Sequence, residues 1–239
     1  MKIKIGHLYP DLLNLYGDRG NIQCLKKRCQ WRGIESEVQS FRISDQIDFS
    51  DLDIVLLGGG SDREQMLVCE KLKTIQDDMR GYVEDGGSVI AVCGGYQLLG
   101  HYYDTEEGRI EGLSLVDIYT EHGDPRMISN VILENEQFEY PIVGFENHAG
   151  RTYIGDHKPF GKVLTGSGNN AKDGTEGILY KNVIGTYLHG PLLPKNPHIS
   201  DYLIRNAMNR KYGTSERMPL DDSQELEANK YIVDRFAKK

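Results

Sequence analysis

Two short runs constrain the fold of this 239-residue chain more than anything else in it. Asp53-Ile54-Val55-Leu56-Leu57 is almost wholly apolar and stops at Gly58-Gly59-Gly60, and Ser88-Val89-Ile90-Ala91-Val92 stops at Cys93-Gly94-Gly95. A strand without a polar face has to be covered on both sides, which is the situation in a parallel sheet packed between helices. Helix-forming residues follow each run, over 62–82 and from Tyr96 onward, so the pattern reads as βαβ units. Upstream, the alternation of Ile3, Ile5 and His7-Leu8 predicts another strand. Residues 21–32 predict a helix stopped by Gly33, and 35–41 a second strand. From 113 to 187 short strands separated by Gly, Asn and Asp predict an antiparallel or mixed extension of the same sheet. Helices over 199–211 and 223–237 close the chain. The expectation is an α/β, three-layer, flavodoxin-like single domain over 1–239, with a mixed, mainly parallel central sheet and reactive loops at the carboxyl ends of its strands.

Composition narrows the function classes. Hydrophobic residues make up 38% and charged residues 27%, the balance of a globular chain large enough to bury a core without disulfides or a structural metal. The 28 basic and 36 acidic residues leave a net charge of -8, which disfavours a nucleic-acid partner. No segment approaches the ~20 apolar residues of a spanning helix. The first 18 residues carry neither an apolar stretch nor a small-residue cleavage site. A cytoplasmic protein without membrane insertion is expected. Cys24, Cys29, Cys69 and Cys93 match neither a CxxC pair nor a disulfide framework, and no metal site is expected. Cys24 and Cys29 sit five residues apart on one helix, about 140° around its axis, so they cannot clasp one ion.

Cys93 is the chemical focus. A nucleophile on a tight strand-to-helix turn needs small neighbours two residues before and after, and Ala91 and Gly95 supply them. There the sulfur stands over the sheet edge while the helix N-terminus behind it favours the thiolate. A buried structural cysteine is the alternative. A thiol nucleophile requires a base, and His189 follows another apolar run, Val183-Ile184-Gly185-Thr186-Tyr187-Leu188, that can deliver it to the same edge. His148, in Asn147-His148-Ala149-Gly150, is the second choice. The Gly58-Gly59-Gly60-Ser61-Asp62 loop can present N–H groups to an oxyanion together with the N–H of Gly94. It has neither the Lys-Ser/Thr of a P-loop nor GxGxxG spacing, so a nucleotide site is disfavoured. Residues alone thus point to cysteine-dependent acyl transfer, with the acyl donor unnamed.

At Cys93-Gly94-Gly95-Tyr96-Gln97 and Gly185-Thr186-Tyr187-Leu188-His189-Gly190 the chain resembles class I glutamine amidotransferases, in the branch found in cobyric acid synthases. Four further stretches are similar to the small glutaminase subunits of lipid II isoglutaminyl synthases. They are Asn14-Leu15-Tyr16-Gly17-Asp18-Arg19-Gly20-Asn21-Ile22, Gly58 through Gln65, Gly144-Phe145-Glu146-Asn147-His148, and His189 through Pro197.

The resemblance implies a subunit that releases ammonia from L-glutamine for a Mur-ligase-like (MurT-type) partner, in a heterodimer. That partner would use ATP and Mg²⁺ to amidate the α-carboxyl of D-glutamate in lipid II, with no cofactor in this chain. It implies Cys93 as nucleophile, His189 as base, Gly59 and Gly94 as oxyanion donors, and Arg126 and Gln97 as substrate-binding residues. One position departs from the pattern: the acid two residues after the histidine is replaced by Pro191. Asp18, Glu146 or a carboxylate of the partner could orient His189 instead. A free-standing cysteine hydrolase of the γ-glutamyl hydrolase type and a non-catalytic ligase-binding scaffold are the competing readings.

Overall fold

The computed structural model describes residues 1–14, 17–214 and 218–237; Leu15 and Tyr16 of the Asp18 motif lie outside the described residues. The chain opens with β1 (Lys2–Leu8), α1 (Arg19–Trp31), β2 (Glu35–Phe41), β3 (Ile54–Leu57), α2 (Asp62–Lys73), α3 (Gln76–Glu84), β4 (Ser88–Val92) and α4 (Gly94–Leu98). Six strands follow: β5 (Tyr102–Thr105), β6 (Gly108–Glu111), β7 (Tyr119–Glu134), β8 (Ile142–Tyr153), β9 (Gly161–Thr165) and β10 (Thr175–Glu176). The chain then runs through β11 (Ile178–Tyr180), β12 (Val183–Thr186), α5 (Leu192–Lys195), α6 (Pro197–Tyr212) and α7 (Ser223–Phe236). No described helix is long and apolar enough to cross a membrane.

The first sheet has the order β11-β12-β4-β3-β1-β2, parallel throughout except where β11 pairs antiparallel with β12. Every residue of β3, β4 and β12 is buried, as their unbroken apolar runs require. Each fully buried aliphatic side chain there contributes about 1.5–3 kcal/mol. From β1 the chain moves outward to β2, but from β3 it moves the other way to β4. With right-handed crossovers this puts α1 on one face and α2 and α3 on the other. The reversal lies between β1 and β3, and the loops leaving those two strands pack on each other at their carboxyl ends, where a Cβ on Gly58 would stand 2.3 Å from Leu13 O.

Two expectations need correction. The region 113–187 does not extend the first sheet: β5 to β10 form a second six-stranded sheet, and only β11 and β12 return to the first. The long β7 and β8 pair over most of their length, and β8 alternates between buried and half-buried positions, the mark of a sheet with one covered face. The helix expected over 62–82 is two. Its start is fixed by a capping box between Ser61 and Glu64, but Ile75 leaves helical geometry at φ -126°, ψ 19°, and the Thr74 hydroxyl bonds back to Lys71 O at 2.7 Å.

Candidate active site

The strand-to-helix turn at Cys93 has the backbone geometry that its flanking residues predict. Cys93 takes φ 51°, ψ -109°, a region that costs a non-glycine residue about 1–3 kcal/mol. Its N–H donates to Thr186 O at 2.8 Å, which fixes it beside the end of β12. Gly95 is required by close approach, since its N–H donates to Gly58 O and a Cβ there would stand 2.5 Å from Leu57 O and 2.8 Å from Gly58 O. We expect Gly95→Ala to lower unfolding free energy by about 1–3 kcal/mol in urea titration, because the atoms in the way are backbone and cannot rotate aside. The remaining cysteines offer no rival: all are unbridged, and burial raises the Cys24 and Cys69 thiols and pushes Cys29 up to about 12.

β12 runs parallel to β4, with Thr186 opposite Val92, so the residues after it emerge at the same edge as Cys93. His189 is almost fully buried, and its N–H donates to Phe145 O on β8 at 2.8 Å. Its Nδ1 lies 3.9 Å from Oδ1 of Asp18, which stands just ahead of α1 and is itself fully buried. Burial works against the imidazolium, but the Asp18 carboxylate and the Cys93 sulfur together outweigh it and raise the His189 pKa to about 9. Thiol, imidazole and carboxylate thus converge from three different loops.

A Cβ on Gly20 would meet Pro191 Cγ at 2.4 Å, so the first turn of α1, just after Asp18, is pressed against the turn that follows His189. Glu146, the other candidate within the chain, does not orient His189. Its carboxylate accepts hydrogen bonds from Ser129 Oγ and from the Ser167 and Gly168 N–H groups, and its neighbour is His148 at 3.9 Å. Side chains alternate along β8, which puts Glu146 on the same buried face as His148. His148 is drawn into the same interior network. Its ring stacks on Tyr187 at 3.5 Å, and burial, the foremost influence, lowers its pKa.

The glycine loop differs from expectation in one respect. The N–H of Gly59 donates to Asp18 Oδ2 at 3.0 Å rather than standing open. Gly60 N–H, next along the loop, donates no hydrogen bond among the described residues. Gly94 opens α4, so its N–H lacks an intrahelical partner. Gly59 packs tightly on the thiol, since a Cβ there would stand 3.1 Å from Cys93 Cβ. Gln97 lies one turn into α4 and is buried, with Nε2 donating to the Tyr187 hydroxyl at 3.2 Å. Arg126 is exposed within an irregularity of β7 between His122 and Met127, the kind of bulge that redirects a side chain. Its guanidinium bonds Asn147 Oδ1 at 2.6 Å and Asn147 O at 3.0 Å, and it acts electrostatically on Asp62 at the start of α2.

Sequence reasoning missed Glu176. This fully buried carboxyl accepts hydrogen bonds from Tyr187 N–H at 2.6 Å and from the Thr186 hydroxyl, directly beneath the His189 turn. Burial raises its pKa to about 8 despite those bonds, so it is largely protonated at neutral pH. Its only sequence signal is a charged residue between Gly174 and Gly177, both at positive φ.

Comparison with known proteins agrees with this architecture. Residues 4–197 match the CobB/CobQ-like glutamine amidotransferase domain. The GatD subunit of the glutamine-hydrolysing lipid II isoglutaminyl synthase of Staphylococcus aureus (strain N315) is 44% identical over 98% of this chain and 96% of its own length. Its namesake in Streptococcus pneumoniae (strain ATCC BAA-255 / R6) is 40% identical over 91% of this chain and 85% of its own. Cobyric acid synthase of Listeria innocua is 30% identical, covering 66% of this chain and 32% of that protein. Among solved structures, PurLQS from Thermotoga maritima superposes with a TM-score of 0.52 at 18% identity, over 87% of this chain and 99% of that one. A glutamine amidotransferase crystal structure gives 0.53 at 16%, over 85% and 98%. With the family domain matched over most of its length and this fold beneath it, the chain belongs to the CobB/CobQ-like glutamine amidotransferases.

Proposed function

We propose that this chain is the glutaminase subunit of a lipid II isoglutaminyl synthase. It hydrolyses L-glutamine to glutamate and ammonia and passes the ammonia to a Mur-ligase-like (MurT-type) partner in a heterodimer. That partner uses ATP and Mg²⁺ to activate the α-carboxyl of D-glutamate in lipid II for amidation, in the cytoplasm. The observation that carries this reading is the meeting of Cys93, His189 and Asp18 at one sheet edge, in a chain nearly coextensive with subunits that bear this name.

In the proposed reaction the Cys93 thiolate attacks the side-chain amide carbon of glutamine. The oxyanion is held by Gly94 N–H and by the Gly59–Gly60 loop, each such donor being worth about 10²–10³ in rate. The His189 imidazolium gives its proton to the departing nitrogen, leaving a thioester on Cys93 and a neutral imidazole. The imidazole then takes a proton from the water that releases glutamate. A pKa near 9 suits the first step, because the ring carries its proton at neutral pH. Arg126, whose planar fork can hold a carboxylate in bidentate fashion, binds the substrate's α-carboxylate, and Gln97 supports it from α4.

The test is co-purification with a Mur-ligase-like protein, followed by measurement of ammonia released from glutamine with and without that partner. Release that requires this chain and rises on adding the partner supports the reading. A pair that forms but releases no ammonia overturns it.

A further inference from the structure

The family domain ends at residue 197, yet the chain continues into α6 and α7. α7 docks through a partly covered face on which Leu226, Ile232, Val233 and Phe236 are half-buried, and its one buried side chain is the polar Asn229. The two hydrogens of the Asn229 amide nitrogen are shared among three acceptors, Lys195 O at 3.0 Å, Pro141 O at 3.1 Å and Asn196 Oδ1 at 3.2 Å. Asn196 is itself fully buried: it accepts from Val143 N–H at 2.8 Å and donates to Val143 O at 2.8 Å and Leu192 O at 2.7 Å.

These bonds matter because of where the segment between His189 and Asn196 is held. At its start His189 N–H is pinned to Phe145 O, and at its end Asn196 is pinned to Val143, two residues away on the same β8. Asn229 clamps that second pin. At its N-terminus α7 reaches α1, the helix that Asp18 precedes: Asp222, at the N-cap of α7, takes a bidentate pair from buried Arg28 of α1, at 2.6 and 2.9 Å. α1 in turn holds the segment through Asn21 Oδ1, which accepts from Leu193 N–H at 2.9 Å. One helix therefore ties together the two elements whose ends bring Asp18 and His189 into contact.

We infer that Asn229 is a positioning residue, through which α7 braces the His189 turn against α1 and β8. The inference rests on the glutaminase reading only for its catalytic consequence, because the state of Cys93 can be measured without any substrate.

The test compares Asn229→Ala with Thr165→Val, which removes the 3.3 Å bond from the Thr165 hydroxyl to Phe236 O at the far end of α7. Two quantities are read across about pH 5–10: alkylation of Cys93 by iodoacetamide, followed by mass spectrometry, and ammonia release from glutamine by the partner complex. We expect Asn229→Ala to lower both the neutral-pH alkylation rate and kcat about tenfold with KM for glutamine unchanged, as a misplaced reacting group does. The alkaline limb of ammonia release should move down by about one pH unit as the His189 pairing loosens, and Thr165→Val should leave all of these as they are. Equal behaviour of the two variants, or an unmoved limb in Asn229→Ala, overturns the inference. If the alanine variant does not fold, Asn229→Ser, which keeps one donor, takes its place with the same criteria. A shift in alkylation with no ammonia from the parent protein sinks the glutaminase reading and leaves the positioning role standing.

Discussion

Replacing Cys93 by alanine should abolish glutamine-dependent amidation by the assembled two-subunit enzyme while amidation from added ammonium salt continues at the parent rate. Loss of the nucleophile removes the covalent route altogether, and in comparable hydrolases such losses amount to at least about 10⁴ in kcat. The ammonium-supported reaction bypasses that step and so reports on the partner and on the integrity of the complex. A scaffold predicts no change in either reaction, and a free-standing hydrolase predicts no amidation to lose. The backbone adds a second, opposite effect. Cys93 holds φ 51°, ψ -109°, where glycine pays less than any other residue. Cys93→Gly should therefore be inactive yet more stable than the parent by about 1 kcal/mol in urea titration. A destabilised glycine variant would remove the case for strain at the turn.

Asp18→Asn should cost about 10²-fold in kcat for ammonia release, within the range for general acid–base groups. The substitution keeps an oxygen for the Gly59 N–H but removes the charge 3.9 Å from His189. The sign of the pH effect follows from the raised pKa. His189 titrates at about 9 in the folded protein and near 6.5 when unfolded, so the pair adds stability that is fully present below about 6.5 and lost as the pH rises through about 9. Without the carboxylate, the folded value falls. The alkaline limb of the rate profile should move to lower pH, and the stability deficit of the variant should be largest near about pH 6, where imidazolium and carboxylate are both charged, and vanish above about pH 9. An unshifted limb would assign the orienting acid to another group, such as a carboxylate of the partner.

Much of the first sheet was legible because β3, β4 and β12 have no polar face, and a strand of that kind has few places to go. The Cys93 turn was legible for a related reason: Gly95 cannot carry a side chain against Leu57 O and Gly58 O. The second sheet was not. Alternating strands with one covered face look alike whether they prolong a sheet or start another, and only pairing partners far apart in sequence decide. The third member of the site was hidden similarly. Asp18 and Glu146 are both acids in promising motifs. What separates them is a Gly20–Pro191 contact on one side and a pair of N–H groups at Ser167 and Gly168 on the other. Glu176 was silent because its partners are the Thr186 hydroxyl and a backbone N–H.

The strands that carry Cys93 and His189 are immediate neighbours in the sheet, yet the whole of β5 to β10 is threaded between them along the chain. Such long-range pairing closes late, since loop closure must be paid before the contact rewards it. During synthesis the thiol leaves the ribosome well before its imidazole does and has to wait for an entire layer to assemble. The reactive pair is thereby a product of finished folding, and a truncated or half-built chain carries a cysteine without the means to use it.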